Sequence, residues 1–254
     1  MRPARRWLAA LALLLAGCAV KKLPPEVGNA KFGVDITWHG HSCFTVADSI
    51  GRTVVIDPFD ATVGYGVLKL SADALLITHR HFDHDNRAAV HGRAGNLELV
   101  ESTGTSTVAS GLVVTGIPSA HDAEQGQVNG PNTMYLFQMG GLRCLHVGDL
   151  GTGKLTDFQR KMIGAVDVLF IPMGGVSTIN GKQARKIVDE LRPGAVFPMH
   201  YGDIRFFKLD PIESFTALFP AEQVKWTDSS TVRVRFSDLT DRPIVYILSP
   251  QNHN

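Results

Sequence analysis

Three histidines and an aspartate are packed into one short run, Thr78-His79-Arg80-His81-Phe82-Asp83-His84-Asp85. Imidazole and carboxylate both bind Zn²⁺ and related ions well. Along extended backbone, side chains two apart point the same way, so His79 and His81 can share one ion. Asp83 and His84 lie past a bend and can address a second ion. Four side chains do not complete two sites, so further ligands must arrive from elsewhere. Three candidates stand at the ends of strand-like runs: His121 in Pro118-Ser119-Ala120-His121-Asp122, Asp149 in His146-Val147-Gly148-Asp149, and His200 in Pro198-Met199-His200-Tyr201-Gly202. A lone histidine is usually an ordinary core or surface residue. Three candidate ligands placed after three separate strands read as one convergent set.

The elements that must hold these residues are legible as apolar runs. Residues 74–77 lead straight into the histidine cluster. Strand-like patterns also cover 33–38, 42–47, 53–56, 112–117, 133–139 and 142–147, with Gly140-Gly141 marking a hairpin. The rhythm then changes. A buried-strand pattern at 166–171 ends at Pro172, and Asn180 can cap a helix with Ala184, Ile187, Val188 and Leu191 on one face. Pro193-Gly194 stops that helix, 195–199 is again a strand, 211–219 reads as a short helix, and 231–236 and 244–248 are late strands. Strands in series with helices between them predict an α/β domain of two sheets covered by helices.

The N-terminus carries a different message. Arg2, Arg5 and Arg6 precede an apolar run over 7–16, the pattern of a secretory signal. That run is half the ~20 residues a membrane-spanning helix needs. Leu15-Ala16-Gly17-Cys18 resembles the bacterial lipobox, which implies cleavage before Cys18 and lipidation of its thiol. Several acyl chains anchor stably where one alone binds reversibly. Ala19 in place of aspartate points to the outer membrane. Residues 21–30, with Pro24, Pro25 and Gly28, form a tether. The expected division is a signal over 1–17, a lipidated N-terminus and tether over 18–31, and one catalytic domain over 32–254, held at the periplasmic face of the envelope.

The 254 residues, 44% hydrophobic and 19% charged, belong to an ordinary globular chain and exclude a disordered or fibrous one. The precursor's net charge is +1. Without the three signal arginines the mature chain has 22 basic against 24 acidic residues, a net of −2. That excludes the basic excess of a nucleic-acid binder. Once Cys18 is lipidated, Cys43 and Cys144 remain, either as a disulfide in the oxidising envelope or as buried free thiols, the commoner state within strands.

Taken together, Ile36-Thr37-Trp38-His39-Gly40-His41-Ser42, Asp57-Pro58-Phe59, the histidine cluster, Gly130-Pro131-Asn132-Thr133, His146-Val147-Gly148-Asp149, Ile171-Pro172-Met173-Gly174-Gly175 and Pro198-Met199-His200-Tyr201 resemble the metallo-β-lactamase superfamily. The nearest branch is the one holding ascorbate-6-phosphate lactonase and related metal-dependent hydrolases. The resemblance implies a four-layer αββα sandwich with the metals at one edge of the sheets. It implies that His79, His81 and His121 bind one metal, that Asp83, His84 and His200 bind the other, and that Asp149 bridges them. His41 would lie near the metals and contact substrate. Asp57 would orient a ligand histidine, as metal-bound imidazoles generally require, or else form a turn before Pro58.

Two divalent ions held this way bring the pKa of water towards ~7, so no serine or cysteine nucleophile is needed. The expected chemistry is hydrolysis of an ester, lactone or phosphodiester. Asp83 would relay a proton, and His41 or Tyr201 would donate to the oxyanion or leaving group. Tyr201 reads equally well as a packed strand-end aromatic. Zinc is the default from the His/Asp set, with manganese or iron admitted because no thiolate selects for zinc. A second reading is a lipid phosphodiesterase resembling N-acylphosphatidylethanolamine phospholipase D, which shares the early Trp-x-Gly-His. A third is an envelope lipoprotein that keeps the metal site without catalysis. The partners expected are a small-molecule or lipid substrate and the membrane.

Overall fold

The computed structural model describes residues 32–108, 110–202 and 204–251. The expected signal, Cys18 and the tether lie outside the described residues, as does His253. Two large sheets carry the fold. In the first, β15 (Thr231–Val234), β1 (Val34–Gly40), β2 (Cys43–Asp48) and β3 (Thr53–Ile56) run antiparallel in that order. Two strands then add in parallel to β3: β5 (Ala74–Leu76) and β7 (Glu98–Val100). The second sheet begins with β14 (Val224–Trp226), β16 (Ile244–Ile247), β13 (Ala195–Met199), β12 (Val168–Pro172) and β11 (Leu142–His146), all parallel. It continues antiparallel through β10 (Pro131–Met139), β9 (Val113–Ala120) and β8 (Gly104–Thr107). β4 (Leu70–Ala72) and β6 (Val90–Gly92) form a separate ribbon.

Alternation decides which face of each strand is buried. Val34, Ile36 and Trp38 of β1 and Phe44 and Val46 of β2 point inward. They meet Tyr135, Phe137, Phe170 and Phe197 of the second sheet in one continuous core. The parallel strands β12 and β13 are buried along their whole length, because both faces of that part of the sheet are covered. The cover consists of α1 (Asp157–Ile163), α2 (Gly181–Leu191) and α3 (Glu213–Thr216). Ile163, Ala184, Ile187, Val188 and Phe215 pack there against Leu145, Leu169, Ile171 and Val196. Burying one such side chain is worth about 1.5–3 kcal/mol.

The expected four-layer α/β sandwich is therefore present, with its two outer layers built differently. Over the first sheet, Val55, Leu75 and Ile77 are covered by Phe59, Val63, Ala89 and Val90. Phe59 comes from the loop after β3, and the others come from short turns at Ala61–Val63 and Arg87–Ala89 and from the β4–β6 ribbon, not from α-helices. The α2 expectation holds in detail. Asn180 accepts from Gln183 N at 3.0 Å, and the Gln183 side chain accepts from Asn180 N at 2.9 Å. The expected helix over 211–219 shortens to the four residues of α3. The sequence reading did not include α1, although Thr156 and Gln159 form the same reciprocal cap. Cys43 and Cys144 are buried and unbridged, one under the outer turns of the first sheet and one between the sheets.

Candidate metal centre

Five strand ends deliver the ligand candidates to one place. His41 follows β1, His79 follows β5, His121 follows β9, Asp149 follows β11 and His200 follows β13. Past His79 the chain turns tightly, with His84 N and Asp85 N both donating to His81 O at 2.9 Å, which brings Asp83 and His84 back towards the strands. Three groups result in which one ligand atom per residue lies within 4.8 Å of the others. One is His79, His81 and His121, a second is His41, Asp83, His84 and His200, and a third, His79, His84 and Asp149, joins them. Asp149 sits between them. Its Oδ2 lies 3.1 Å from His200 Nε2, 3.2 Å from both His84 Nε2 and His121 Nε2, and 4.0 Å from His79 Nε2.

The supporting hydrogen bonds assign which nitrogen each histidine presents. His84 Nδ1 donates to Asp57 Oδ2 at 3.0 Å, and His121 Nδ1 donates to Ser177 O at 3.0 Å. His79 Nδ1 donates to Thr78 Oγ1 at 3.0 Å, and that hydroxyl donates on to Asp57 Oδ2 at 2.7 Å. The Nε2 atoms of all three are thereby free to face the centre. Asp57 is fully buried and also accepts from Thr78 N at 2.8 Å. One carboxylate thus steadies a histidine of each group.

These residues fit a pair of divalent ions. Of six buried side-chain polar atoms with no hydrogen-bond partner among the described residues, three belong to one ligand group: His79 Nε2, His84 Nε2 and Asp149 Oδ1. Unpaired buried polar atoms are costly, and here they converge where cations would satisfy them. The donor set is imidazole and carboxylate throughout, which suits zinc, manganese or iron. Charge follows the same logic. Burial opposes ionising Asp149, but His200 and His84 outweigh it and hold the carboxyl well below its usual range. Burial likewise opposes ionising Asp83, and His84 and His41 bring it below the usual carboxylate range. Burial and the neighbouring His84 push His79 down to about 2, so its imidazole is neutral at ordinary pH. In His84 burial is overcome by Asp149 and Asp83, which hold its pKa well above the ordinary value.

Three of the seven non-glycine residues with positive φ among the described residues lie at this centre. His41, Asp57 and His200 adopt φ of 47°, 48° and 53°, a conformation that side chains beyond Gly rarely take. Such residues cost of order 1–3 kcal/mol each and persist only where the surroundings over-determine them. Two glycines make room. A Cβ on Gly148 would lie 2.3 Å from Asn132 Oδ1 and 2.7 Å from Thr78 Cβ, and one on Gly174 would lie 2.2 Å from His200 O.

All seven expected metal ligands are brought together, and Asp57 stands where a ligand-orienting residue must. Two other expectations change. His41 is fully buried, and its Nε2 donates to Asp83 Oδ2 at 3.2 Å. Burial and the neighbouring His200 lower its pKa to about 4, so it is neutral. It reaches the centre through Asp83 and is not among the residues lining the open cleft. Tyr201 is not brought into the cluster. Its ring stacks on Trp38 with centroids 5.4 Å apart and packs against both neighbouring cores. It is the packed strand-end aromatic.

Three supporting residues lay outside the sequence reading. Thr78 links Asp57 to His79. Asn132 accepts from Asp149 N at 3.0 Å and donates to Val147 O at 2.8 Å, fixing the strand end that carries the central carboxylate. Asp122 accepts from Gly126 N, Val128 N and Asn129 N at 2.7–3.0 Å, closing the loop beside His121. Asn132 stands in the Gly-Pro-Asn-Thr motif, so its signal was present without a role attached. His146 also gains a role, since its Nε2 donates to Ser42 O at 3.1 Å and its Nδ1 accepts from Gly148 N at 3.2 Å.

Comparison with known proteins adds the family context. The model of the beta-lactamase superfamily domain matches residues 35–200. A UPF0173 protein of Pyrococcus abyssi is 31% identical over 183 residues, covering 66% of this chain and 83% of its own. A UPF0173 metal-dependent hydrolase of Thermoplasma acidophilum is 30% identical over 209 residues, covering 72% of this chain and 89% of its own. Among solved structures, a metallo-β-lactamase superfamily protein of Thermotoga maritima superposes with a TM-score of 0.69 at 30% identity, covering 85% of this chain and 98% of its own.

Proposed function

Because the chain belongs to the beta-lactamase superfamily and, within it, to the UPF0173 metal-dependent hydrolases, we propose that it hydrolyses an ester, lactone or phosphodiester at a two-metal centre. The observation that carries this is the position of Asp149 Oδ2, within 4.0 Å of four histidine Nε2 atoms drawn from both ligand groups. His79, His81 and His121 would hold one ion, Asp83, His84 and His200 would hold the other, and Asp149 lies where it could serve both. Zinc is the ion expected. When bound, the pair supplies acidified water and a Lewis-acidic surface for a developing oxyanion.

The chain's own groups do the rest. Asp83 lines the cleft, where it would relay onward the proton released as water attacks. His41, neutral and fully buried, donates to Asp83 Oδ2 and keeps that carboxylate turned towards the centre. Asp57 and Thr78 hold His84 and His79 in the tautomers that present Nε2. Convergence of all seven ligands favours this enzyme over a non-catalytic envelope protein. The test is elemental analysis of the reconstituted protein together with a panel of lactones, esters and phosphodiesters. Two metals per chain and turnover abolished by Asp149→Ala are expected. Fewer than one metal per chain would sink the dinuclear assignment.

The proposal extends to the N-terminus, where Leu15-Ala16-Gly17-Cys18 supports a lipid anchor on Cys18 at the periplasmic face of the outer membrane. Incorporation of labelled palmitate, lost in Cys18→Ala, is the expected result. Label retained in that variant would refute it.

A further inference from the structure

Beside the metal centre opens a cleft of about 240 Å³, lined at its base by His81, Asp83, His121, Asp149 and His200. Its walls are mostly apolar. Phe82, Val176 and Phe207 line it from three separate segments beside the polar Asn129 and Ser177, and Phe206 stands edge-on to Phe82 with centroids 5.9 Å apart. All four are unusually open for large apolar side chains, with Phe82 48%, Val176 41%, Phe206 56% and Phe207 36% exposed. Single exposed hydrophobics are ordinary. Three from separate segments lining one polar site, with Phe206 adjoining Phe82, mark a ligand surface. Among the described residues lining this cleft, none is Lys or Arg. The exposed Arg80 belongs to the neighbouring groove, where Glu101 engages it at 3.0 Å.

We propose that the cleft selects an uncharged lactone or carboxylic ester bearing an apolar arm, the carbonyl lying over the metal centre and the arm against Phe82, Phe206, Phe207 and Val176. A phosphorylated or carboxylated tail would have no fixed cation to receive it there, and leaving a charge unpaired against apolar walls is costly. An apolar arm removes those four side chains from water. The proposal rests on the hydrolytic reading of the centre. Water's oxygen bonds to the acyl carbon, the acyl C–O bond breaks, one proton goes to the departing alkoxide, and the acid product releases the other. No further co-reactant is needed.

The test uses alkyl hydroxamates, whose head binds the metals while the arm length varies, titrated by calorimetry into the full-length, metal-reconstituted protein. Lactones and esters of matching arm length are assayed alongside. Affinity is expected to rise about threefold to fourfold per added methylene until the cleft is filled. Specificity in kcat/KM should follow through KM. Phe207→Ala and Phe206→Ala should flatten that rise, with metal content still two per chain. Octanohydroxamate binding no tighter than acetohydroxamate would overturn the apolar arm while leaving the metal centre standing. Tighter binding of a carboxylate-tailed hydroxamate, or faster hydrolysis of an alkyl phosphodiester than of the matching ester, would also overturn it. Failure of every hydroxamate to bind would overturn the two-metal reading, and this one with it.

Discussion

The two ligand groups share Asp149 but are made differently. The group of His79, His81 and His121 contains three imidazoles, no carboxylate of its own, and one exposed member, His81. The group of His41, Asp83, His84 and His200 is buried throughout and brings a carboxylate. An ion held by the first would be neutralised by Asp149 alone, beside the exposed His81. An ion held by the second would have Asp83 as well. Both groups reach the cleft, so the difference would lie in grip, the tighter ion being the one whose group brings its own carboxylate.

The largest test of that comparison is Asp149→Ala, which removes the group common to both sides. Metal content should fall below one per chain. Activity should drop at least about a thousandfold, since metal-borne transition-state stabilisation is worth several kcal/mol. Full retention of one metal would break the symmetry of the shared carboxylate.

Next comes staged metal removal. Timed chelation should release one ion per chain well before the other. In His81→Ala the early class should be absent and the late class unchanged. A single release phase in the unaltered protein would erase the proposed inequality.

The supporting residues offer a finer cut. Asp57 touches His84 directly and His79 through Thr78. Asp57→Asn should weaken both ions about 10- to 100-fold, the usual cost of losing a ligand-orienting partner. Thr78→Val should weaken only the ion held with His79. Competition titration with a metal indicator separates the cases, and equal losses in Thr78→Val would contradict the relay.

The smallest effect is expected on the open flank, where Asp122 closes the loop next to His121. The Asn129 amide, with those of Gly126 and Val128, holds the Asp122 carboxyl below its usual range. A depressed carboxyl stabilises the fold above its unfolded-state pKa of ~3.9, and that contribution fades as pH falls through the lower folded value. Amide exchange at Gly126, Val128 and Asn129, corrected for intrinsic rates, should therefore quicken below about pH 4. The amides beside His84 should not share that onset. Asp122→Asn should quicken exchange at neutral pH.

The ligands themselves were legible because the types and spacings that bind metals are rare and local. His79 and His81 announce themselves by a spacing of two, and His121, Asp149 and His200 by their place at the ends of apolar runs. The α2 cap at Asn180 was legible for the same reason. Thr78 and Asn132 were not, since neither type ligates zinc by habit and both act through long-range hydrogen bonds. The apolar walls escaped notice because Phe82, Val176, Phe206 and Phe207 resemble core residues until their exposure is known. The outer layer of turns over the first sheet escaped because its runs are too short for a clear period.

The sequence by itself pointed to the class of fold, to seven candidate ligands and to the kind of chemistry those residues support. Each of these rests on patterns a few residues long. Only the tertiary structure decided that four imidazoles meet at one oxygen of Asp149, that His41 turns to Asp83 and away from the cleft, and that Tyr201 lies on Trp38. Those contacts join residues tens of positions apart. Their geometry is set by how two twisted sheets pack face to face, and no local spacing encodes it.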